Sequence, residues 1–179
     1  MAAQHARTTS DGPVGDRLQP SLLDRLTDDE PDRRTEAPDR VAMTRTRLRQ
    51  AVLRDLAWLF NATNSESSID FDAHPHARAS TINYGIPALS GTTLSELDFA
   101  MIDHALRDAV IAFEPRLLKD TIQVRSVISG EQLSHHNTLG FEVRAKLWSM
   151  PYPLELLLRS NLDLETGHVE IQERTGPAG

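Results

Sequence analysis

At Pro115 the hydrophobic rhythm of this chain changes period. Before it, Phe99, Ile102, Leu106, Ala109 and Phe113 recur at alternating spacings of three and four, which places them on one face of a helix. After it, Ile122, Val124 and Ile128 alternate with Gln123, Arg125 and Val127. Leu139, Phe141, Val143, Ala145 and Leu147 then alternate with Gly140, Glu142, Arg144, Lys146 and Trp148. That period of two belongs to strands with one buried and one solvated face. Proline has no N–H to donate and cannot sit in a helix interior, so the chain must turn between the two regimes. Helices first and strands after predict an α+β fold, with N-terminal helices packed on one face of a mostly antiparallel C-terminal β-sheet.

The rest of the chain can be divided on the same grounds. Residues 1–20 are polar and carry Gly12, Pro13, Gly15 and Pro20, which predicts a disordered N-terminal tail. Residues 21–40 predict a short helix, capped by Ser21 with Leu22, Leu23 and Leu26 on one side, followed by a charged linker with Pro31 and Pro38. Residues 41–174 predict a single α+β domain, and 175–179 a frayed C-terminal tail. Within the domain, Leu48, Val52, Leu56 and Leu59 build the apolar stripe of a helix over Val41 to Asn61, broadened by Trp58 and Phe60. Asn64 to Ala79 is polar and loop-like, and Ser80 to Ile86 a short extended segment. A second helix is expected to open at Thr93, whose spacing to Glu96 fits a capping box. Leu154, Leu156, Leu158 and Leu162 predict a third strand, Glu165-Thr166-Gly167 a turn, and Val169 and Ile171 a final strand.

Composition excludes several functions. The net charge of −7 disfavours nucleic acid, whose phosphates need a basic face, and disfavours an anionic membrane surface. With no cysteine there is no thiolate nucleophile, disulfide framework or cysteine-ligated zinc. No apolar run approaches the roughly 20 residues of a membrane span, and the N-terminus has no apolar signal region; a cytoplasmic protein is expected. No Gly-rich phosphate loop or nucleophile elbow is present. His74-Pro75-His76 and His135-His136 lack a third ligand at a recognisable spacing, so neither metal nor other cofactor is expected. Asp103 and His104 are adjacent on a helix, where their side chains diverge by about 100°. Asp98, Asp103 and Asp108 read as solvent-facing helix residues.

The corner itself, Phe113-Glu114-Pro115-Arg116, is where chemistry concentrates. A carboxylate and a guanidinium stand one residue apart on a stiff bend. An acid beside a fixed cation is stabilised in its ionised form. Such an acid suits orienting a partner by charge and hydrogen bonds better than donating protons. Glycoside hydrolysis would need a second carboxylate and a protonated acid, and Arg116 works against the latter. A purely structural Glu114–Arg116 pair, tying the helix end to the sheet, is the alternative reading of the same residues.

Several further segments stand in a telling order: Leu22-Leu23-Asp24-Arg25-Leu26 before Thr27-Asp28-Asp29-Glu30, Leu53-Arg54-Asp55-Leu56-Ala57-Trp58-Leu59-Phe60-Asn61, Ser80-Thr81-Ile82-Asn83-Tyr84-Gly85-Ile86-Pro87, Leu89-Ser90-Gly91 and Phe113-Glu114-Pro115-Arg116-Leu117. From about Ser21 to Glu173 the chain resembles the TssE family of type VI secretion baseplate subunits, relatives of the wedge protein of contractile phage baseplates. The resemblance implies a structural, non-enzymatic component at the cytosolic face of the inner membrane. It implies wedge partners TssF and TssG met through Glu114, Pro115 and Arg116, with Asn83, Tyr84, Gly85, Phe113 and Leu117 as supporting motif residues. It further implies neighbouring baseplate protein TssK, and sheath subunits TssB and TssC templated on sheet edges by β-augmentation. Asp55, Phe60 and Asn61-Ala62-Thr63 depart from the arginine-ended pattern of that family. Competing expectations are a peptidoglycan hydrolase using Glu114, after the family's lysozyme-like label, and a regulatory anti-adaptor of similar architecture.

Overall fold

The computed structural model describes residues 20–27, 31–32, 43–91, 98–127, 137–149 and 151–173. The expected tails, most of the charged linker, the Thr93–Glu96 capping box, Ile128 and His135-His136 lie outside them. The chain divides into two units, residues 1–48 and 49–179. In the first, helix α1 spans Leu22–Leu26, and the Ser21 hydroxyl accepts the Asp24 N–H as an N-cap. Helix α2 spans Arg45–Phe60 and crosses the boundary between the units.

Along α2, Leu48, Val52, Leu56, Leu59 and Phe60 are buried. Trp58 is not part of that stripe. It is half exposed, with the Arg54 guanidinium 5.0 Å from its ring centroid, because residues four apart share a helix face. A single helical turn, α3, spans Pro75–Arg78 inside the expected loop. Ser80 to Ile86 is not extended throughout. The Ser80 hydroxyl accepts the Ile82 N–H and starts a 3-10 turn over Thr81–Asn83, since a serine side chain offers the backbone a local partner that a strand would not.

Helix α4 spans Phe99–Phe113. It begins at Asp98 rather than Thr93. The Asp98 carboxylate accepts the N–H groups of Ala100 and Met101, two of the orphan donors of the first turn. Ile102, Leu106, Ala109 and Val110 are buried, while Phe113 sits half-buried at the end of the stripe. The Glu114 N–H closes the last bond, to Val110 O at 2.9 Å, and Pro115 ends the ladder.

Four antiparallel strands follow in sequential order: β1 Gln123–Val127, β2 Thr138–Leu147, β3 Leu154–Asp163 and β4 Val169–Glu173. Val143 pairs with Val124 on one side and Leu158 on the other. Buried Leu139, Phe141, Val143, Ala145 and Leu147 line one face of β2, with Leu156, Leu158, Leu162 and Val169 on the same face of its neighbours. Phe60 of α2 meets Phe141 there edge to face, ring centroids 5.4 Å apart. Fully burying such side chains contributes about 1.5–3 kcal/mol each, which fixes strand register through the buried face. The solvated face carries Glu142 between Arg144 and Arg159. The expected α+β architecture is observed. Among the described residues no helix is long and apolar enough to cross a membrane, and no group of three or more His, Asp or Glu could hold a metal ion.

Candidate functional site

The bend between α4 and the sheet is clipped down by main-chain bonds. Leu117 N–H donates to Glu114 O at 3.2 Å, closing the turn. Trp148 N–H donates to Arg116 O and Leu118 N–H to Lys146 O, both at 2.8 Å, with Leu117 bridged to Leu147. The corner thus prolongs the β1–β2 ladder, interrupted by a 3-10 turn at Lys119–Thr121. Leu117 is buried beneath it, and Pro115 is exposed at its tip.

The side chains at this corner form a chain of alternating charge. Arg116 Nε donates to Glu114 Oε1 at 2.7 Å, and Nη2 donates to Glu114 Oε2 and Asp55 Oδ2, both at 2.5 Å. The Arg116 main-chain N–H adds a bond to Glu114 Oε1 at 3.1 Å. On the far side of Asp55, Arg54 Nε donates to Oδ1 at 2.9 Å. The order is Arg54, Asp55, Arg116, Glu114, two cations and two anions. A planar guanidinium with fixed donors is suited to bridging two carboxylates in this way.

Burial separates the two halves of the expected couple. The Glu114 side chain is 2% exposed and the Arg116 side chain 26%. The acid is therefore not on display as the corner's sequence suggests: both Glu114 oxygens are engaged, while Arg116 keeps part of its surface. The acid is sealed because α4 ends before Pro115 and turns the Glu114 side chain inward, where the Arg116 guanidinium follows it. Burial opposes the charge on Arg116, but the hydrogen bonds to and charges of Glu114 and Asp55 outweigh it and hold the guanidinium more firmly protonated than usual. Nη1 makes no hydrogen bond among the described residues.

The Asn83-Tyr84-Gly85 segment buttresses this network from the side. Asn83 is buried. Its Oδ1 accepts the Ser65 N–H at 3.0 Å, and its Nδ2 donates to Arg78 O and Glu66 Oε1, both at 3.1 Å. Gly85, at φ +130°, runs against the backbone after α2, with Ile86 N–H on Ala62 O at 2.8 Å and Asn64 N–H on Ile86 O at 2.9 Å. Tyr84 stacks edge to face on Phe113 at 5.1 Å, and its hydroxyl reaches Asp55 O at 3.4 Å. Phe113 is thus a partner of the loop more than of the core.

Burial, then the negative charges of Asp55 and Glu114, push the Tyr84 phenol above its ordinary value of 10. In a Tyr152→Phe variant, where Tyr84 is the last tyrosine, spectroscopic titration is expected to give an ionisation above that value. A raised folded value means the stabilisation is complete below pH 10 and is lost as pH climbs through the folded ionisation. Titration at or below the ordinary value would contradict the Tyr84–Asp55 juxtaposition.

Asp55 is the residue least visible in the sequence, where it reads as a helix-surface acid. One signal is present: it lies three residues after Val52 and four before Leu59, at the rim of the buried stripe. Asp103 is likewise not a solvent-facing acid. It accepts the Ser126 N–H at 2.8 Å and the Ser126 hydroxyl at 2.5 Å. The His74 and His76 side chains are exposed, at the start of and on α3, remote in sequence from this network.

A helix, a braced loop and an ion-paired corner are thus set together on an antiparallel sheet. The family model for baseplate wedge protein gp25 matches residues 46–152, which is 107 of the 179 residues, and the chain belongs to that family. The matched span takes in α2 from Thr46 onward, the Asn83-Tyr84-Gly85 loop, the corner, β1 and β2, and so covers every residue of the charged network. No curated protein and no solved structure matches the chain. As a phage-like baseplate structural protein it is a member of a family built for assembly with other baseplate proteins.

Proposed function

We propose that this chain is the TssE-type subunit of a type VI secretion baseplate, assembled at the cytosolic face of the inner membrane. It docks wedge subunits TssF and TssG at the Pro115–Arg116 tip and helps start polymerisation of the TssB/TssC sheath on its sheet. TssK is a further baseplate neighbour. The observation that carries this reading is the half-exposed Arg116, rigidly oriented by two carboxylates, with Nη1 uncommitted among the described residues. Glu114 then acts as the residue that aims Arg116, rather than as a contact. Two exposed tryptophans border the network: Trp58 under Arg54, and Trp148, whose N–H holds Arg116 O. Aromatic and arginine side chains are enriched where protein interfaces carry most of their energy.

The hydrolase alternative asks Glu114 for a proton. Both of its oxygens accept from Arg116 and its side chain is sealed, so it offers a substrate neither a donor nor access.

Arg116→Lys tests the docking role. Lysine keeps the charge beside Glu114, but a single ammonium cannot span two carboxylates and also point a nitrogen outward. The folded variant is expected to lose at least tenfold in capture of the wedge subunits, since a buried charge-assisted contact of this kind is worth about 2–5 kcal/mol. Capture equal to wild type by a natively folded Arg116→Lys protein would remove the corner from the interface.

A further inference from the structure

The solvated face of the sheet gathers cations, although the chain as a whole carries a net charge of −7. Arg125 of β1 and Arg159 of β3 both stand directly opposite Glu142 of β2, so one carboxylate is flanked by a guanidinium from each neighbouring strand. Arg144 lies two residues along β2 on the same face, because side chains on one face recur every second residue. Burial follows this alternation: Val124, Val143 and Leu158 are buried on the core side, while Arg125, Arg144 and Arg159 are exposed. Three cations thus surround one anion, which leaves a local charge of +2.

Glu142 does not commit these arginines. Arg144 Nη2 stands 3.4 Å from Oε2 and Arg159 Nη2 3.5 Å from Oε1, beyond the usual range of a charge-assisted bond. Arg116, by contrast, is tied to its carboxylates at 2.5 and 2.7 Å. The Arg144 and Arg159 side chains are 64% and 50% exposed, whereas Glu142 beneath them is 14% exposed. Arg125 makes no side-chain hydrogen bond or ion pair among the described residues. Each guanidinium carries five N–H donors in a fixed fork, so this face holds far more donors than Glu142 can accept.

We propose that Arg125, Arg144 and Arg159 form a docking site for an acidic segment of another protein, extended and with carboxylates at alternate positions. Arg125 and Arg159 lie two strands apart, about 10 Å between main chains. Acids two residues apart in an extended segment are separated by roughly 7 Å, within reach of both long side chains on either side of Glu142. Planar forks suit carboxylate and phosphate alike. The surroundings choose between them. Glu155, Asp163 and Glu170 lie on the same face of β3 and β4. A long polyanion such as nucleic acid would run from the cluster over those carboxylates and be repelled, whereas a short acidic segment meets the arginines alone. Lys146 adds no excess, since Glu155 stands directly opposite it.

This inference goes beyond the docking role proposed for the corner and shares no residue with the Arg116 network. The probe is a fluorescent peptide alternating glutamate and threonine, with its glutamine counterpart as control, titrated against the full-length protein by anisotropy at low salt. The glutamate peptide is expected to bind about tenfold more tightly than the control, and to weaken as salt rises. Arg125→Gln is expected to weaken it about threefold at an unchanged urea midpoint, since Arg125 holds no partner among the described residues. Arg125→Gln with Arg159→Gln is expected to abolish binding. Glu142→Gln removes the competing anion and is expected to tighten it. Arg116→Lys is expected to bind like wild type, which separates this face from the corner. Equal binding of the glutamine peptide, wild-type affinity in the double variant, weaker binding in Glu142→Gln or loss in Arg116→Lys would each overturn the inference. So would a single-stranded oligonucleotide that binds as tightly as the peptide. Salt-sensitive self-association of the wild type, lost in the double variant, would give the face to Asp28-Asp29-Glu30 of a second copy and overturn the assignment to another protein.

Discussion

Arg116→Ala is expected to destabilise the protein by about 3–5 kcal/mol, the cost of leaving a buried charge without its partner. Wild-type Glu114 accepts one bond from the Arg116 main-chain N–H, one from Nε and one from Nη2. Alanine keeps the first alone. The carboxylate cannot escape to water, because its side chain is almost fully enclosed. Asp55 loses one of its two cations at the same time, though Arg54 remains. The measurement is the urea midpoint at unchanged slope, so that the shift reports stability and not a change in the denatured state. Glu114→Gln combined with Arg116→Met removes both charges and is expected to recover most of the loss, since replacing a buried pair together is far milder than orphaning one member. A single-variant loss below about 1 kcal/mol would make the pair equivalent to an exposed salt bridge and undo the account of the corner. The same reasoning explains why alanine is a poor probe of the proposed docking: a loss of capture in that variant would mix folding with contact. Lysine, which leaves Glu114 a cation, separates them.

Much of the scaffold was legible from period alone. The alternation from Leu139 to Leu147 is the strand β2, with the expected residues inside, because a sheet with one solvated face forces strict alternation. The α4 stripe was readable for the same kind of reason, and its start was not. The Thr93–Glu96 spacing fits a capping box, but Asp98 stands nearer the apolar stripe and satisfies two donors by itself. Trp58 shows the other limit. Hydrophobicity placed it on the core stripe, yet its angular position puts it over Arg54, where a large amphipathic ring is stable in water's reach.

The corner was legible as a place and only partly as a geometry. Sequence puts Glu114 and Arg116 on one bend, and they do pair. It could not say that the acid faces inward, because that depends on which way the chain leaves α4, a choice made by the bonds from Trp148 and Leu118 to the strand and bend. Nor could it join Asp55 to Arg116 across 61 positions. Long-range pairing of charges is a property of the packed helix and loop, not of any local pattern. The resemblance to a baseplate family named the motif residues, and the family match spans the segments from Leu53 to Leu117 but not those from Leu22 to Glu30. It did not carry their division of labour: Asn83, Tyr84 and Gly85 build the brace, Glu114 and Asp55 aim the guanidinium, and Arg116 with Pro115 faces outward.

Gly85→Ala is expected to be the most damaging substitution of a small residue in the brace, costing about 3 kcal/mol or more. Two independent effects add. At φ +130° an L side chain is strained wherever it points. Here it also has no room: a Cβ would stand 2.4 Å from Ala62 O and 2.9 Å from Asn64 N, both main-chain atoms. Backbone cannot step aside as a flexible side chain would, so the bridge between Thr63 and Ile86 must open. Gly91 makes the control. Its φ is +82°, but no described residue lies within 4 Å of where its Cβ would stand, so Gly91→Ala bears conformational strain without the clash and is expected to cost clearly less. The consequence for the site is specific. If the loop lifts, Tyr84 leaves Phe113 and its hydroxyl leaves Asp55 O, and its ionisation falls back toward the ordinary value. Comparing urea midpoints of the two alanine variants tests the packing, and titrating Tyr84 in the Tyr152→Phe background tests the coupling of loop to corner. Equal losses at Gly85 and Gly91, with the Tyr84 ionisation unmoved, would mean that the loop and the charged corner are independent, and that Arg116 owes its orientation to the carboxylates alone.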